Sequence, residues 1–167
     1  AKRCGCDCVK FQSWSEDSLY SSQYYEENPI AKRMFRKFAM DSTQLGEIAE
    51  YCRRTGVYFT STPYSRAEVD FLVEKCEVPY IKIASMDLNN LPFLAYVAQS
   101  KKPIVLSTGM AEIDEIGRAL ETIEHAGSRE VCILHCVAMY PADDEDLNLN
   151  NIIGLRRIFG SYPIGYS

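Results

Sequence analysis

The sequence predicts an α/β fold of the (β/α)8 TIM-barrel type, of which about six βα units lie within its 167 residues. Short apolar segments alternate with segments of helical periodicity, an order typical of a parallel sheet with right-handed helical crossovers. After a longer first interval, the strand-like segments begin near residues 57, 79, 103, 131 and 162, a repeat of 22 to 31 residues that suits one strand and one helix. Six such strands leave the barrel two strands short of closure.

The individual elements are predicted from periodicity and from helix start and stop signals. Strands are predicted to begin near Cys6, Val57, Pro79, Pro103, Val131 and Tyr162. Apolar residues at helical spacing predict helices within 45–52, 69–76, 91–98, 113–123 and 152–159. Gly56, Gly127 and Gly160 stand where glycine commonly ends a helix, and Ser65 with Glu68 predicts a capping box.

Composition and charge argue against several classes of partner. The formal net charge of -5 and the pI near 5.1 disfavour nucleic acid or an acidic membrane as the main partner. No apolar run approaches the roughly 20 residues of a membrane span, and the first residues lack a signal-peptide pattern. We expect one domain over residues 1–167, a cytoplasmic location, and a chain that is a piece of a longer protein, since it lacks an initiator methionine.

Seven cysteines, an odd number in a chain of this size, predict reduced thiols rather than a disulfide framework. Cys4, Cys6 and Cys8 form a C-x-C-x-C run, which permits either a metal site or small residues that fill a barrel interior. Zinc sites usually have a second pair of ligands, which this chain lacks. Interior packing is favoured over a metal site because free cysteine is among the most buried residue types.

The interval between residues 13 and 40 has no strand pattern and is predicted to form part of a lid. It leaves the predicted carboxyl end of a strand, where mobile loops of α/β enzymes lie. Its basic amphipathic segment IAKRMFRKF allows a nucleic-acid or membrane patch as the alternative. Basic residues beside Glu26 and Glu27 favour a solvated helix face over such a patch. The basic residues of this segment are Lys32, Arg33, Arg36 and Lys37.

Two predicted strands carry a lysine at their centre. In the third strand the alternation places isoleucines on one face and Lys82 on the other. Because an unpaired ammonium is costly on a helix-covered face, Lys82 is predicted to point into the interior, toward a negative partner. The same reasoning applies to Lys10. An anionic substrate carrying phosphate or carboxylate is favoured over the alternative, an internal ion pair with Asp7 or Asp87.

Hydroxyl side chains follow two predicted strands at their carboxyl ends, where α/β folds bind ligands. Thr60, Ser61 and Thr62 end one strand, while Ser107 and Thr108 end another. Binding of an anion and simple capping of the next helix both remain open for these residues.

Three further residues have both a functional and a structural interpretation. Asp87, just after the third strand, is a candidate general acid or base, or the N-cap of the next helix. His135 lies mid-strand and is predicted to be a hydrogen-bonded core group rather than a metal ligand. Tyr140, which precedes Pro141, suits contact with a sugar or simply the shaping of a loop.

Seven segments, in the same order, resemble the N-acetylneuraminate (sialic acid) synthase family. They are VKFQ at 9–12, FTSTPYS at 59–65, IKIASMDLNNLPFL at 81–94, KPIVLSTGM at 102–110, ILHCVAMYP at 133–141, LNLNNI at 147–152 and PIGYS at 163–167. Legionaminic and pseudaminic acid synthases share most of these motifs. The resemblance covers nearly the whole chain and implies that it contains strands 2–7 of the family's barrel.

The resemblance implies a transferase that condenses phosphoenolpyruvate with N-acetylmannosamine to give N-acetylneuraminate and phosphate. C3 of phosphoenolpyruvate attacks the sugar aldehyde and water adds at C2, while Mn2+ or Mg2+ polarises the aldehyde. By position, the implied phosphoenolpyruvate ligands are Lys10, Thr62, Lys82, Ser85, Ser107 and Ser167. The implied sugar-binding residues are Gln12, Asp87 and Tyr140, with Asp87 also a candidate for proton transfer.

The resemblance also implies features that residues 1–167 do not match. These are the family's first strand with its acidic residue, its metal-binding histidines and its C-terminal antifreeze-like domain, which completes the partner's site in a homodimer. We therefore expect no metal ligand and little activity from this chain alone. Val137 and Ala138 replace hydrogen-bonding residues of the family motif, and each lost bond to a charged group costs about 1.5–3 kcal/mol.

Two other functions remain open from the residues alone. An aldolase that uses Lys10 or Lys82 as a Schiff-base nucleophile is compatible with amines on inward strand faces. The other is a non-catalytic remnant that binds or assembles without performing chemistry.

Overall fold

The computed structural model describes residues 1–167 and divides into two compact units, Ala1–Pro79 and Tyr80–Ser167. No helix in it is both long enough and apolar enough to cross a membrane.

The first unit contains two parallel strands and five helices. Its elements are β1 (Cys8–Ser13), α1 (Glu16–Leu19), α2 (Ser22–Glu27), α3 (Pro29–Phe38), α4 (Ser42–Thr55), β2 (Tyr58–Pro63) and α5 (Arg66–Glu74). The strands pair in register from Cys8 with Tyr58 to Ser13 with Pro63. Apolar side chains of α4, β2 and α5 that were predicted at helical or strand spacing are buried: Leu45, Ala49, Cys52, Phe59, Val69 and Leu72.

Helix α4 contains the predicted segment 45–52 and ends at Gly56, as predicted. The Asp41 side chain accepts a hydrogen bond from the Gln44 amide at 2.8 Å, and the Gln44 side chain accepts one from the Asp41 amide at 3.0 Å. This reciprocal pair satisfies two amides that have no partner within the helix. At the other end Gly56 adopts the left-handed conformation, with φ 72°, that glycine reaches without steric cost.

The predicted capping box of α5 is only half correct. Ser65 Oγ accepts from the Glu68 amide at 3.3 Å, as predicted. The Glu68 carboxylate instead accepts from the Tyr64 amide at 2.7 Å and from the Ser18 hydroxyl at 2.6 Å. Glu68 therefore ties the start of α5 to α1, a long-range contact that helix spacing alone does not reveal.

The interval predicted as a lid folds into the three short helices α1, α2 and α3. Lys32 and Arg36 of α3 form ion pairs with Glu16 of α1, at 3.0 and 2.5 Å. Half of the basic cluster is therefore paired across the segment, rather than with Glu26 and Glu27. This arrangement agrees with the predicted solvated helix face, and a lid function stays a prediction.

The Glu16 ion pairs predict a defined acid response. The Lys32 ammonium and the Arg36 guanidinium hold the pKa of this carboxyl below its ordinary value of 4.5. A carboxyl whose pKa is lowered by folding contributes stability above its unfolded pKa, and this contribution is lost as the pH falls through the folded pKa. We expect the Glu16 carboxyl to titrate below 4.5 when its carbon resonance is followed by NMR across the acidic range.

Two variants complete this test. Arg36→Gln should move the titration of Glu16 upward, whereas Arg33→Gln, on the same helix but outside the ion pairs, should leave it unchanged. A titration at the ordinary value in the unaltered chain would contradict the prediction.

The C-x-C-x-C run departs from its predicted role as interior packing. Cys4 and Cys6 are exposed, and β1 begins at Cys8 rather than near Cys6. The physical reason is a 3-10 turn, Lys2–Cys4, which ends at Gly5 with φ 84°. This turn keeps both thiols out of the strand, whereas Cys8 is half-buried within it.

The second unit is a four-stranded parallel sheet with three helices. Its elements are β3 (Ile81–Ile83), α6 (Leu91–Gln99), β4 (Ile104–Ser107), α7 (Ile113–His125), β5 (Val131–His135), α8 (Asn151–Ile158) and β6 (Ile164–Tyr166). The strand order is β3-β4-β5-β6. On β5, Val131, Ile133 and His135 are buried while the alternating Cys132 and Leu134 are half-buried, so the alternate residues form two distinct faces.

The predicted parallel α/β fold is confirmed, with all six predicted strands present. They form two sheets, one of two strands and one of four. Closure into a barrel stays a prediction at this point.

Candidate functional site

The Lys82 ammonium is the buried charge around which the candidate site is built. Lys82 lies in β3, is 6% exposed, and sits opposite Val105 in the parallel pairing with β4. Its Nζ donates to the Ile83 carbonyl oxygen at 2.6 Å and to the Ser107 hydroxyl. Ser107, 4% exposed, is the last residue of β4. An ammonium and a hydroxyl are therefore adjacent near the carboxyl ends of two neighbouring parallel strands.

The turn after β4 is fixed on both sides by hydrogen bonds. The Gly109 amide donates to Ser85 Oγ at 2.9 Å, which joins the turn to the segment after β3. On the other side, the Thr108 hydroxyl and amide both donate to the Leu134 carbonyl of β5, at 2.9 and 3.1 Å. The Thr108 hydroxyl therefore joins the turn after β4 to β5. It does not cap α7, and its proton is already donated, so it cannot also donate to an anion.

Gly109 occupies a position where a side chain would disturb this arrangement. A Cβ there would lie 3.0 Å from Ser85 Oγ and 3.4 Å from the Cys136 Cβ. We expect Gly109→Ala to displace Ser85, weaken its bond to the residue 109 amide, and lower the free energy of unfolding by about 1–2 kcal/mol. Urea denaturation followed by circular dichroism measures this change.

The control is Gly117→Ala in the middle of α7, where an added Cβ meets no atom within 4 Å. That change should stabilise the chain by about 0.5–1 kcal/mol, because alanine favours a helix interior over glycine. Equal effects of the two substitutions would contradict the proposed crowding at Ser85.

Asp87 ends a 3-10 turn, Ser85–Asp87, that follows β3. Its Oδ1 accepts a hydrogen bond from Asn90 Nδ2 at 3.3 Å. The structural alternative, that Asp87 is the N-cap of the next helix, is wrong: Asn90 is the N-cap residue of α6, and its side chain makes no capping bond. Three residues, 88–90, separate Asp87 from the first residue of α6. Proton transfer by Asp87 stays a prediction.

His135 is a buried, hydrogen-bonded group, as the sequence predicts. Its Nε2 lies 2.8 Å from the Leu147 carbonyl oxygen, and its ring centroid is 5.9 Å from that of Tyr166. Because a carbonyl can only accept, Nε2 carries the proton in this contact. The His135 carbonyl accepts from the Ser167 amide at 2.9 Å, which places exposed Ser167 at the end of β6.

Tyr140, a predicted sugar ligand, is 97% exposed in the loop after β5. No ring contact or hydrogen bond holds it, so its assignment depends on the resemblance alone. The acidic segment that follows forms an exposed 3-10 turn, Asp144–Asp146.

The first unit contributes a separate polar group at the ends of β1 and β2. Gln12 Nε2 donates to the Tyr64 hydroxyl at 2.8 Å. One residue further along β1, the Ser13 and Ser61 hydroxyls lie 2.6 Å apart and are buried. Thr62, which pairs with Gln12, is also buried. Tyr64 was not predicted as a site residue, although its position directly after a hydroxyl-rich strand end is a usable signal.

Lys10 lies on β1 beside Thr60 of β2 and is exposed, in contrast to buried Lys82. The atoms around the ammonium nevertheless desolvate it enough to lower the pKa of Lys10. The ion pairs of this unit do not join Lys10 to Asp7. Lys10 therefore gives up its proton more readily than an ordinary surface lysine does, so its neutral amine forms more easily.

The structure thus brings together part of the predicted set within each unit. In the second unit Lys82 contacts Ser107, and Ser85 contacts the turn that follows Ser107. In the first unit Gln12 and Thr62 occupy paired positions. No group of three or more His, Cys, Asp or Glu side chains in residues 1–167 is arranged to hold a metal ion.

Comparison with known proteins gives the family. A family model described as the NeuB family matches residues 1–167. The chain belongs to the NeuB family.

Curated relatives match all or nearly all of the chain. An uncharacterized protein of Methanocaldococcus jannaschii is 42% identical and is matched by 100% of this chain, over 48% of its own length. The human N-acetylneuraminate-9-phosphate synthase is 31% identical, with 100% of this chain and 48% of the relative covered. The chain therefore spans about half the length of the curated relatives it matches. Other relatives are an N,N'-diacetyllegionaminic acid synthase and a pseudaminic acid synthase of Campylobacter jejuni.

A solved NeuB-type structure has the same fold. The N-acetylneuraminic acid synthetase of Leptospira borgpetersenii, solved with citrate, superposes with a TM-score of 0.85 at 28% identity. The match covers 96% of this chain and 53% of that protein.

Proposed function

We propose that the protein containing this chain condenses phosphoenolpyruvate with N-acetylmannosamine, giving N-acetylneuraminate and phosphate. Relatives named as sialic, legionaminic and pseudaminic acid synthases support the reaction class, and the acceptor sugar is the finer part of the proposal. A (β/α)8 barrel and a cytoplasmic location, both expected from the sequence, and a homodimer, implied by the resemblance, are further parts of it.

The observation that carries the proposal is the Lys82–Ser107 pair. A buried ammonium costs free energy unless charge or hydrogen bonds compensate it, and catalytic sites commonly retain such groups. Phosphoenolpyruvate presents a carboxylate and a phosphate, and both accept charge-assisted hydrogen bonds from lysine. We assign Lys82 and the Ser107 hydroxyl to one of these anionic groups.

Ser85 and Asp87 extend this assignment along the segment after β3. Ser85 Oγ accepts from the Gly109 amide, so its own proton remains available to a substrate oxygen. Asp87, half-buried and two residues further on, is proposed to move a proton to or from the sugar oxygen. The assignments of Lys10, Thr62, Gln12, Tyr140 and Ser167 stay predictions from the resemblance.

The Mn2+ or Mg2+ that the resemblance implies does not fit the residues described here, because they hold no suitable ligand group. No step of the proposed reaction is therefore assigned to a metal by these side chains.

The direct test uses the protein in the length that its gene encodes. We expect phosphate release that requires both phosphoenolpyruvate and N-acetylmannosamine, with a nine-carbon keto acid as the second product, in the presence of Mn2+. Other acylamino sugars, including the precursors of legionaminic and pseudaminic acids, test the acceptor assignment. Absence of phosphate release with every acceptor would overturn the proposed reaction class.

A Schiff-base aldolase is the second candidate, favoured by the lowered pKa of Lys10. A neutral amine attacks a ketone, and borohydride converts the resulting imine into a stable secondary amine. Covalent trapping of pyruvate on Lys10, seen by peptide mass spectrometry and lost in Lys10→Arg, would support the aldolase. Failure to trap pyruvate, together with phosphate release, would support the synthase.

A further inference from the structure

The turn before β1 holds two exposed cysteines in a defined backbone conformation. The amides of Cys4 and Cys6 both donate to the Ala1 carbonyl oxygen, at 2.9 and 3.2 Å. Gly5, between them, has φ 84° and ψ 13°, the left-handed helical conformation. The backbone of residues 1–6 is therefore curled rather than extended, and Cys4 and Cys6 are both exposed.

This conformation sets the separation of the Cys4 and Cys6 Cα atoms. A residue in helical conformation of either hand separates the Cα atoms of its neighbours by about 5.4 Å, from the helix radius and rise. Disulfides usually join Cα atoms about 4.4–6.8 Å apart. Nothing lies within 4 Å of the position that a Cβ on Gly5 would occupy, so the space beside the turn is open.

The other cysteines of this unit are placed less favourably for exchange with a solute. Cys52 and Cys76 are buried, and burial raises the pKa of both thiols, for Cys76 to about 11. Cys8 is half-buried in β1, where it pairs with Tyr58. Thiolate and access together decide the rate of thiol–disulfide exchange, and Cys4 and Cys6 have the better access.

We propose that Cys4 and Cys6 form a reversible dithiol–disulfide site that reacts with low-molecular-weight disulfides such as oxidised glutathione. The thiolate of one cysteine attacks a sulfur of the glutathione disulfide and expels one glutathione thiolate. The thiolate of the other cysteine attacks the resulting mixed disulfide and expels the second. The two protons lost by the cysteines end on the two glutathione thiols, so one disulfide is consumed and one is formed. This site is independent of the proposed synthase reaction.

Peptide mapping of the folded chain tests the site. The reduced chain is incubated with oxidised glutathione, the remaining thiols are alkylated with iodoacetamide, and trypsin is added. Cleavage after Arg3 and Lys10 releases residues 4–10 as one peptide that carries three cysteines. We expect this peptide to be two hydrogens lighter than its dithiol form and to carry one alkyl group, on Cys8. A peptide that carries three alkyl groups after full incubation would overturn the proposal.

Cysteine variants assign the pair. Cys8→Ser should retain the loss of two hydrogens and take up no alkyl group. Cys4→Ser and Cys6→Ser should each stop at a glutathione adduct, because the second attacking thiol is gone. Formation of a ring in either of these two variants would show that Cys8 is a partner and would overturn the assignment.

Gly5→Ala tests the role of the turn. A non-glycine residue pays a steric cost in the left-handed conformation, so the ring-forming equilibrium with glutathione should fall about five- to thirtyfold. Circular dichroism of each variant verifies the fold. An unchanged equilibrium in Gly5→Ala would refute the inference that the turn prearranges the two thiols.

Discussion

Replacing Lys82 with methionine is expected to weaken binding of phosphoenolpyruvate by about one hundredfold. A hydrogen bond to a charged group contributes about 1.5–3 kcal/mol, and each 1.4 kcal/mol is a factor of ten in affinity. Methionine has a similar length and fills the same buried space in β3, but it carries no charge and donates no hydrogen bond. Calorimetric titration with phosphoenolpyruvate, on the protein in its encoded length, measures the loss.

The matched control for this change is Lys75→Met. Lys75 is exposed at the end of α5, so its replacement removes the same charge without touching the Ser107 hydroxyl. The variant Lys82→Met should also retain its free energy of unfolding within about 1.5 kcal/mol, because it no longer buries an ammonium. Unchanged affinity in Lys82→Met, or an equal loss in both variants, would contradict the assignment of Lys82 as an anion ligand.

Replacing Leu106 with alanine is expected to lower the free energy of unfolding by about 2–5 kcal/mol. Leu106 is fully buried in β4, which pairs with β3 on one side and β5 on the other. Truncation removes buried apolar surface and leaves a cavity that a strand held on both edges cannot close. A domain of this size is stable by roughly 5–15 kcal/mol, so the loss is a large share of the total. Urea denaturation followed by circular dichroism measures it.

Leu149→Ala is the control for this second change, since Leu149 is 50% exposed and the same atoms are removed. Its effect should stay within about 0.5 kcal/mol. Leu106→Met should cost less than about 1.5 kcal/mol because it keeps the buried volume. A loss below 1 kcal/mol in Leu106→Ala (about half of the low end of the expected range) would show that the sheet repacks around the cavity.

The regular elements were predictable because their signals are local. Helices α4 to α8 follow the spacing of apolar residues, and strands β2 to β5 follow short apolar segments. The burial of Lys82 was predictable for a related reason: in a strand flanked by isoleucines, alternation leaves the lysine on the second face. Its hydroxyl partner Ser107 lies on the neighbouring strand, and parallel pairing brings their strand ends together.

Features that depend on contacts distant in sequence were not predictable. Glu68 has the spacing of a capping residue, yet it bonds the Ser18 hydroxyl fifty residues earlier in the chain. The three short helices after β1 are held by Glu16 and by stacking of Tyr20 on Tyr24, with ring centroids 4.4 Å apart. Neither contact produces a periodic pattern. The exposure of Cys6 depends on one backbone angle at Gly5, which the sequence permits but does not require.

The hydrogen bond from the Gly109 amide to Ser85 Oγ polarises the serine hydroxyl. A hydroxyl that already accepts a hydrogen bond from a peptide N–H is polarised, so its own proton becomes a stronger donor, by about 10–30% per bond. The peptide dipole after β4 thereby strengthens the hydrogen bond that the Ser85 hydroxyl donates to a bound group. Ser85→Ala would remove both the hydrogen bond from Gly109 and the polarised donor, whereas Ser85→Thr would preserve both.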